Sequence, residues 1–247
     1  MAEISYLCRL KMANGYFQFK QFTIHQQHCA MKVGTDGTLL GAWALASEGP
    51  CRILDVGTGT GLIALMMAQR YPEALVSAID IDEKAVFQAQ ENVTASPFAN
   101  RIRVLKADVL TFEDTEKYDS IVCNPPFFED SLTSPDPQRT EARHTVSLGY
   151  RQLMEAAFGL LKDDGRFSVI IPADCRSRLE SEARLRGFFV SRLCSIQTTP
   201  AKAPKRYMIE LTKHPVNEID TTSGILESSP QIRSDWYREL TKEFYIK

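Results

Sequence analysis

The tetrapeptide Asn124-Pro125-Pro126-Phe127 presents hydrogen-bond acceptors and withholds donors. Its two prolines fix φ and stiffen the chain into an extended path, and a proline after Asn124 keeps that residue out of the helical region. Neither proline has an N–H. The Asn124 side-chain oxygen and the Pro125 carbonyl can therefore both point at one exocyclic amine, and Phe127 offers a ring face to a planar base. Upstream lies a second cluster, Asp55-Val56-Gly57-Thr58-Gly59-Thr60-Gly61. A glycine loop between strand and helix lets backbone approach a ligand closely. This one departs from the dinucleotide pattern, because its third glycine comes two places after the second rather than three. Asp55, two residues before Gly57, would repel a pyrophosphate at short range and suits a cationic ligand. Asp80 follows Gly61 by 19 residues at the end of an apolar run, where a carboxylate can accept from both hydroxyls of a ribose. Asp82 reads as a helix cap instead. Asp108 closes a third run, a common place for a turn residue.

These residues need strand ends to hold them. Apolar runs at 51–56, 74–80, 101–108, 117–124 and 166–172 read as strands, and helical patterns fill 61–71, 83–93, 148–161 and 176–187. Asp163-Asp164-Gly165 is expected to end the third of those helices. Runs at 188–198 and 206–214, joined by a turn containing Pro200 and Pro204, predict a C-terminal antiparallel hairpin. The expected fold is α/β: a Rossmann-like, seven-stranded, mostly parallel sheet with helices on both faces. A single domain is expected over 1–247, with an N-terminal extension at 1–47, a core at 48–215 and a tail at 216–247. The extension suggests an extra strand at 16–25 and a helix at 38–46. In the tail, apolar residues at 236, 237, 240 and 244 share a helical face that should dock on the body.

Composition narrows the classes. Of the 247 residues, 44% are hydrophobic and 24% charged, which excludes a disordered chain. No apolar run approaches the about 18 residues of a membrane span, and the N-terminus lacks a signal-peptide pattern. The six cysteines form no CxxC pair and are expected to be reduced, so a cytoplasmic location is expected. His25, His28 and Cys29 lack a second ligand pair, and no metal is expected. The net charge of −2 hides an asymmetry: residues 48–136 carry 7 basic and 15 acidic side chains, whereas 176–206 carry 8 basic and 2 acidic. That basic strip is either a solvated helix face, with Arg178 and Glu182 paired at i,i+4, or a holder of phosphates.

The DxGxGxG loop after the first core strand resembles that of class I S-adenosylmethionine-dependent methyltransferases. Asn-Pro-Pro-Phe at the end of the fourth resembles the motif of enzymes that methylate planar amino groups on adenine, guanine or glutamine amides. Residues 19–44, 135–144 and 244–247 resemble one family in particular, the bacterial tRNA adenine-N6 methyltransferases acting on position 37 of a valine tRNA. The resemblance implies S-adenosylmethionine as cofactor, held by Lys32, Thr35, Asp55, Gly57, Gly59, Asp80 and Asp108, with Asp36 beside them. Asp108 would accept from the adenine amino group of the cofactor. It implies Asn124, Pro125, Pro126 and Phe127 as the catalytic corner. The implied partner is a tRNA anticodon stem-loop, with Arg139, Arg143, Lys202, Lys205 and Arg206 expected to hold it; neither DNA nor a membrane is expected. A loop adenine can be turned outward with little pairing lost. The rival readings are transfer to guanine N2 of rRNA or to a protein glutamine amide, and a non-catalytic RNA-binding module.

Overall fold

The computed structural model describes residues 15–28, 32–125 and 149–246. The N-terminal region holds two short strands, β1 (Tyr16–Gln18) and β2 (Thr23–His25), rather than one, and among the described residues they pair only with each other. Helix α1 (Thr35–Trp43) begins three residues before its expected start. Alternation then proceeds as expected through β3 (Arg52–Val56), α2 (Leu62–Arg70), β4 (Leu75–Asp80), α3 (Glu83–Thr94), β5 (Ile102–Lys106) and β6 (Tyr118–Cys123). The Asp82 side chain caps α3 by accepting from the Lys84 N–H.

Helix α4 (Tyr150–Leu160) stops before Asp163-Asp164-Gly165, and β7 (Leu161–Pro172) starts directly after it. Tyr118 pairs with Leu161 but Ser120 pairs with Arg166, so the Asp-Asp-Gly run is a bulge inside a strand and not a helix stop. Helix α5 (Arg176–Arg186) ends at Gly187 with φ +100°, the left-handed cap that glycine adopts without strain. The hairpin β8 (Phe189–Gln197) and β9 (Arg206–Thr212) is antiparallel as expected. The tail adds β10 (Asp220–Ile225), a small hairpin of β11 (Glu227–Ser229) and β12 (Ile232–Arg233), and α6 (Asp235–Thr241).

Among the described residues the main sheet thus has eight strands, in the order β10-β8-β9-β7-β6-β3-β4-β5. All seven expected strands are in it, and β10 is the addition, lying parallel to β8. Only β9 runs against its neighbours. Side chains alternate between two cores: Ile53, Val122 and Ile170 face α1, α2 and α6, while Leu54, Ile121 and Val169 face α4 and α5. Fully buried side chains such as Leu65 and Met66 each contribute about 1.5–3 kcal/mol of transfer free energy. Tyr237 and Phe244 join the first core, so the tail docks as the pattern required. Trp236 lies across Gly224 so closely that a Cβ there would stand 2.3 Å from the indole.

Strand order reverses between β3 and β6, and the crevice outside the carboxyl ends of strands at such a point is where open α/β sheets hold ligands. Among the described residues no helix is long and apolar enough to cross a membrane. Cys51, Cys123, Cys175 and Cys194 are free, whereas Cys8 and Cys29 lie outside the described residues.

Candidate active site

Sheet register sets the site. Val56 pairs with Cys123 on one side and Ile79 on the other, and Asp80 pairs with Lys106. Asn124, Gly57, Asp80 and Asp108 therefore leave four adjacent strands along one edge, at the about 4.8 Å spacing of neighbouring strands.

Gly57, Gly59 and Gly61 have φ of +69°, +57° and +82°. Any other residue would be strained there. Nothing lies within 4 Å of a Cβ built on Gly57 or Gly59, so the space in front of the loop is open. The loop is fastened from both sides. Gly57 and Thr58 donate from their backbones to the Ile79 carbonyl at 2.9 and 3.0 Å, and the Gly59 N–H donates to Asp80 Oδ2 at 2.8 Å. Asp55 sits underneath, with Oδ2 accepting from Thr58 Oγ1 at 2.6 Å and from the Ala64 N–H at 3.1 Å. Its Oδ1 is buried with no partner among the described residues.

Burial pushes the Asp55 carboxyl up to about 7, against the pull of its hydrogen bonds to Thr58 and Ala64, and nearby Asp80 adds to the rise. The linkage sign follows. The folded chain holds a proton between the ordinary Asp range and about pH 7 that the unfolded chain has released. Stability from this group is therefore full below about pH 4 and is lost as pH rises through about 7. Asp55→Asn should remove that slope: wild-type Tm should fall relative to the variant between pH 5 and pH 8. Parallel Tm curves would show that Asp55 does not titrate there.

Asp80 Oδ1 also accepts from the Asp82 N–H at 3.0 Å, so both carboxylate oxygens brace backbone while remaining at the strand end. Asp108 makes a turn with Leu110 through Oδ1 at 3.0 Å, consistent with its turn-residue reading. Ile81, between these acids, is 57% exposed, an aliphatic face at the edge where a planar ring could rest. Sequence reasoning missed it, although an apolar residue directly after the strand-end acid was the available signal. Asn92 was missed as well. It is buried, bonds both N–H and C=O of His25 at 2.8 Å, and donates to the Thr60 carbonyl at 2.9 Å, tying β2 and α3 to the glycine loop. Its signal was a polar residue on the buried face of α3, in step with Ala85 and Ala89.

Asn124 follows β6 directly, and its Oδ1 is buried with no hydrogen-bond partner among the described residues. Such an atom costs about 1–3 kcal/mol unless something supplies a donor. Pro125 is buried beside it. The adjacent Cys123 thiol is pushed up by burial, with the Asp55 and Asp80 carboxylates adding to the effect, which places both acids within electrostatic reach of this corner. Pro126, Phe127, Arg139 and Arg143 lie outside the described residues.

Lys32 is exposed and Thr35 half-buried at the start of α1. This first turn packs against the glycine loop's exit, where a Cβ on Gly37 would stand 3.2 Å from Leu62. Lys202 and Lys205 are exposed in the β8–β9 turn. Arg206 Nε donates to Asp36 Oδ2 at 2.9 Å, so this basic residue is engaged within the fold. Much of the basic strip is similarly used. Arg176 pairs with Glu180 at 2.7 Å and lies over the Tyr207 ring. Arg192 and Arg166 together clamp the buried Glu210, each at 3.1 Å. Among the described residues no group of three or more His, Cys, Asp or Glu could hold a metal.

The donor set fits S-adenosylmethionine. Asp55 Oδ1, without a partner among the described residues, lies beneath an open glycine cradle, Asp80 stands at the next strand end where it could accept from a ribose, and exposed Ile81 suits an adenine face. A family model described as Methyltransferase small domain matches residues 30–191. A predicted O-methyltransferase from Agrobacterium tumefaciens has a similar fold, with TM-score 0.65 at 18% identity over 85% of this chain and 96% of that one. Fold and site together define an S-adenosylmethionine-dependent methyltransferase. The chain is 48% identical to a tRNA1(Val) (adenine(37)-N6)-methyltransferase of Bacteroides thetaiotaomicron, over 95% of this chain and 99% of that one. It is 40% identical to the protein of that name in Vibrio cholerae, over 96% and 98%. It belongs to the tRNA1(Val) (adenine(37)-N6)-methyltransferase family.

Proposed function

We propose that this chain transfers a methyl group to the exocyclic N6 of adenine 37 in the anticodon loop of a valine tRNA. The observation that carries the chemistry is the Asn124 Oδ1 at the switch-point edge, buried and without a hydrogen-bond partner among the described residues. The names of the relatives support the choice of tRNA as substrate. S-adenosylmethionine supplies the methyl group, activated by its sulfonium charge. Lys32, Thr35, Asp55, Gly57, Gly59, Asp80 and Asp108 form its side of the site.

The chain's own part is positioning and electrostatics. An amine conjugated to a purine ring is a poor nucleophile. Asn124 Oδ1 and the Pro125 carbonyl accept its two hydrogens, which draws the nitrogen toward a tetrahedral lone pair. Pro125 and Pro126 hold those acceptors rigid, and Phe127 stacks on the swung-out base. No buried general base is needed, because the amine's surplus proton becomes acidic only as the new bond forms and can pass to water. Lys202 and Lys205 reach RNA phosphates from the β8–β9 turn, and Arg139 and Arg143 supply further cations for phosphates.

The test is incubation of the enzyme and S-adenosylmethionine with unmodified valine tRNA, followed by nucleoside mass spectrometry. N6-methyladenosine, lost when adenine 37 is replaced by guanine, is expected. N2-methylguanosine, or no product, would overturn the reading.

A further inference from the structure

Asp36 reaches beyond its own helix, α1. It lies in the helix's first turn, where any acid would complement the helix dipole, yet its carboxylate is turned to a residue 170 positions away. Arg206, which receives it, is the first residue of β9. The same guanidinium donates through Nη1 to the Lys205 carbonyl at 3.0 Å. Lys205 is held further by its N–H to the Ile196 carbonyl at 2.8 Å and by the Ala173 N–H at 3.1 Å, while its ammonium stem stays exposed. On the other side, Gly37 abuts Leu62, the first residue after the glycine loop. A continuous path therefore runs from the loop's exit through Leu62, Gly37, Asp36 and Arg206 to the backbone of Lys205. One end borders the cofactor's cradle and the other carries a cation at the edge that would meet RNA.

We infer that Asp36 is a positioning residue that couples the two substrates, so that RNA engaged by the β8–β9 turn tightens the cofactor site, and the cofactor tightens RNA binding equally. This rests on the function proposed above. Reciprocity is required of any such coupling. Its size is set by a half-exposed ion pair, with the two side chains 31% and 22% exposed, which limits the effect to about 3–5-fold. A carboxylate that only capped α1 would affect stability and leave the two affinities independent.

The experiment is titration calorimetry of the full chain with S-adenosylhomocysteine, in the absence and presence of a saturating unmodified valine anticodon stem-loop. Wild type should bind the cofactor product about 3–5-fold more tightly when RNA is present. Asp36→Asn should bring that ratio to about one, and Asp36→Glu, which keeps the charge, should restore most of it. Thermal melts of all three proteins check that they are folded, and the Asp36→Glu arm decides the matter should the amide variant melt early. A ratio of one in wild type, or an undiminished ratio in Asp36→Asn, would overturn the inference while leaving methyl transfer untouched. Wild type that bound no S-adenosylhomocysteine at all would instead strike the proposed function, and this inference with it.

Discussion

Asn124→Ala should slow methyl transfer by about 10²- to 10³-fold, the usual loss when one preorganised polar contact to a developing charge is removed. Cofactor affinity should change by less than about twofold, because Asn124 stands at the end of β6 and not in the glycine loop. Stability should move the opposite way from most truncations. Asn124 Oδ1 has no hydrogen-bond partner among the described residues, so removing it relieves a buried unsatisfied acceptor, and Tm should hold or rise. Asn124→Asp keeps an acceptor in place and should retain far more activity than the alanine variant. Single-turnover rates and thermal melts on the same samples check the pattern. Loss of activity together with loss of stability would mean that Asn124 holds the fold and not the base.

The second large effect belongs to Asp80. Its carboxylate faces the cofactor's ribose in the proposed site and at the same time grips the glycine loop through the Gly59 N–H. Asp80→Ala removes both. Hydrogen bonds to a charged group are worth about 1.5–3 kcal/mol each, so affinity for S-adenosylhomocysteine should fall about 100-fold or more. Asp80→Asn retains one acceptor oxygen and should lie between, near 10-fold. Calorimetry distinguishes them. A loss below about threefold in the alanine variant would remove Asp80 from the cofactor site.

What could be read from the sequence was whatever announces itself locally. The runs that became β3, β4 and β6 are apolar because they are buried on both faces, and glycines mark the loop after β3 because L side chains resist a left-handed φ. The position of Asn124 followed from those strands. Three features could not be seen this way. Asp163-Asp164-Gly165 has the composition of a helix stop, and only pairing with β6 makes it a strand bulge. β10 is Asp-Thr-Thr-Ser-Gly-Ile, an edge strand with no apolar alternation, recruited by the open side of β8 and by Trp236 lying across Gly224. The Asp36–Arg206 pair joins residues too distant in sequence for spacing to suggest it. Arg206 consequently looked like one more cation for RNA, when its guanidinium is also a brace. Similarly, the sequence suggests Asp55 as a partner for a cationic ligand, whereas in the structure its carboxylate binds the loop to the start of α2.

The strand that completes the big sheet follows all the others in sequence, and this has a bearing on how the molecule is born. During synthesis β8 and β9 leave the ribosome before β10 does, and until β10 arrives the outer backbone groups of β8 from Arg192 to Gln197 have no strand to pair with. A nascent chain stalled in that interval would present a ready template to any neighbour on the same message. The polar Asp220, Thr221, Thr222 and Ser223 of the finished rim would then serve less to hold the fold than to end its stickiness.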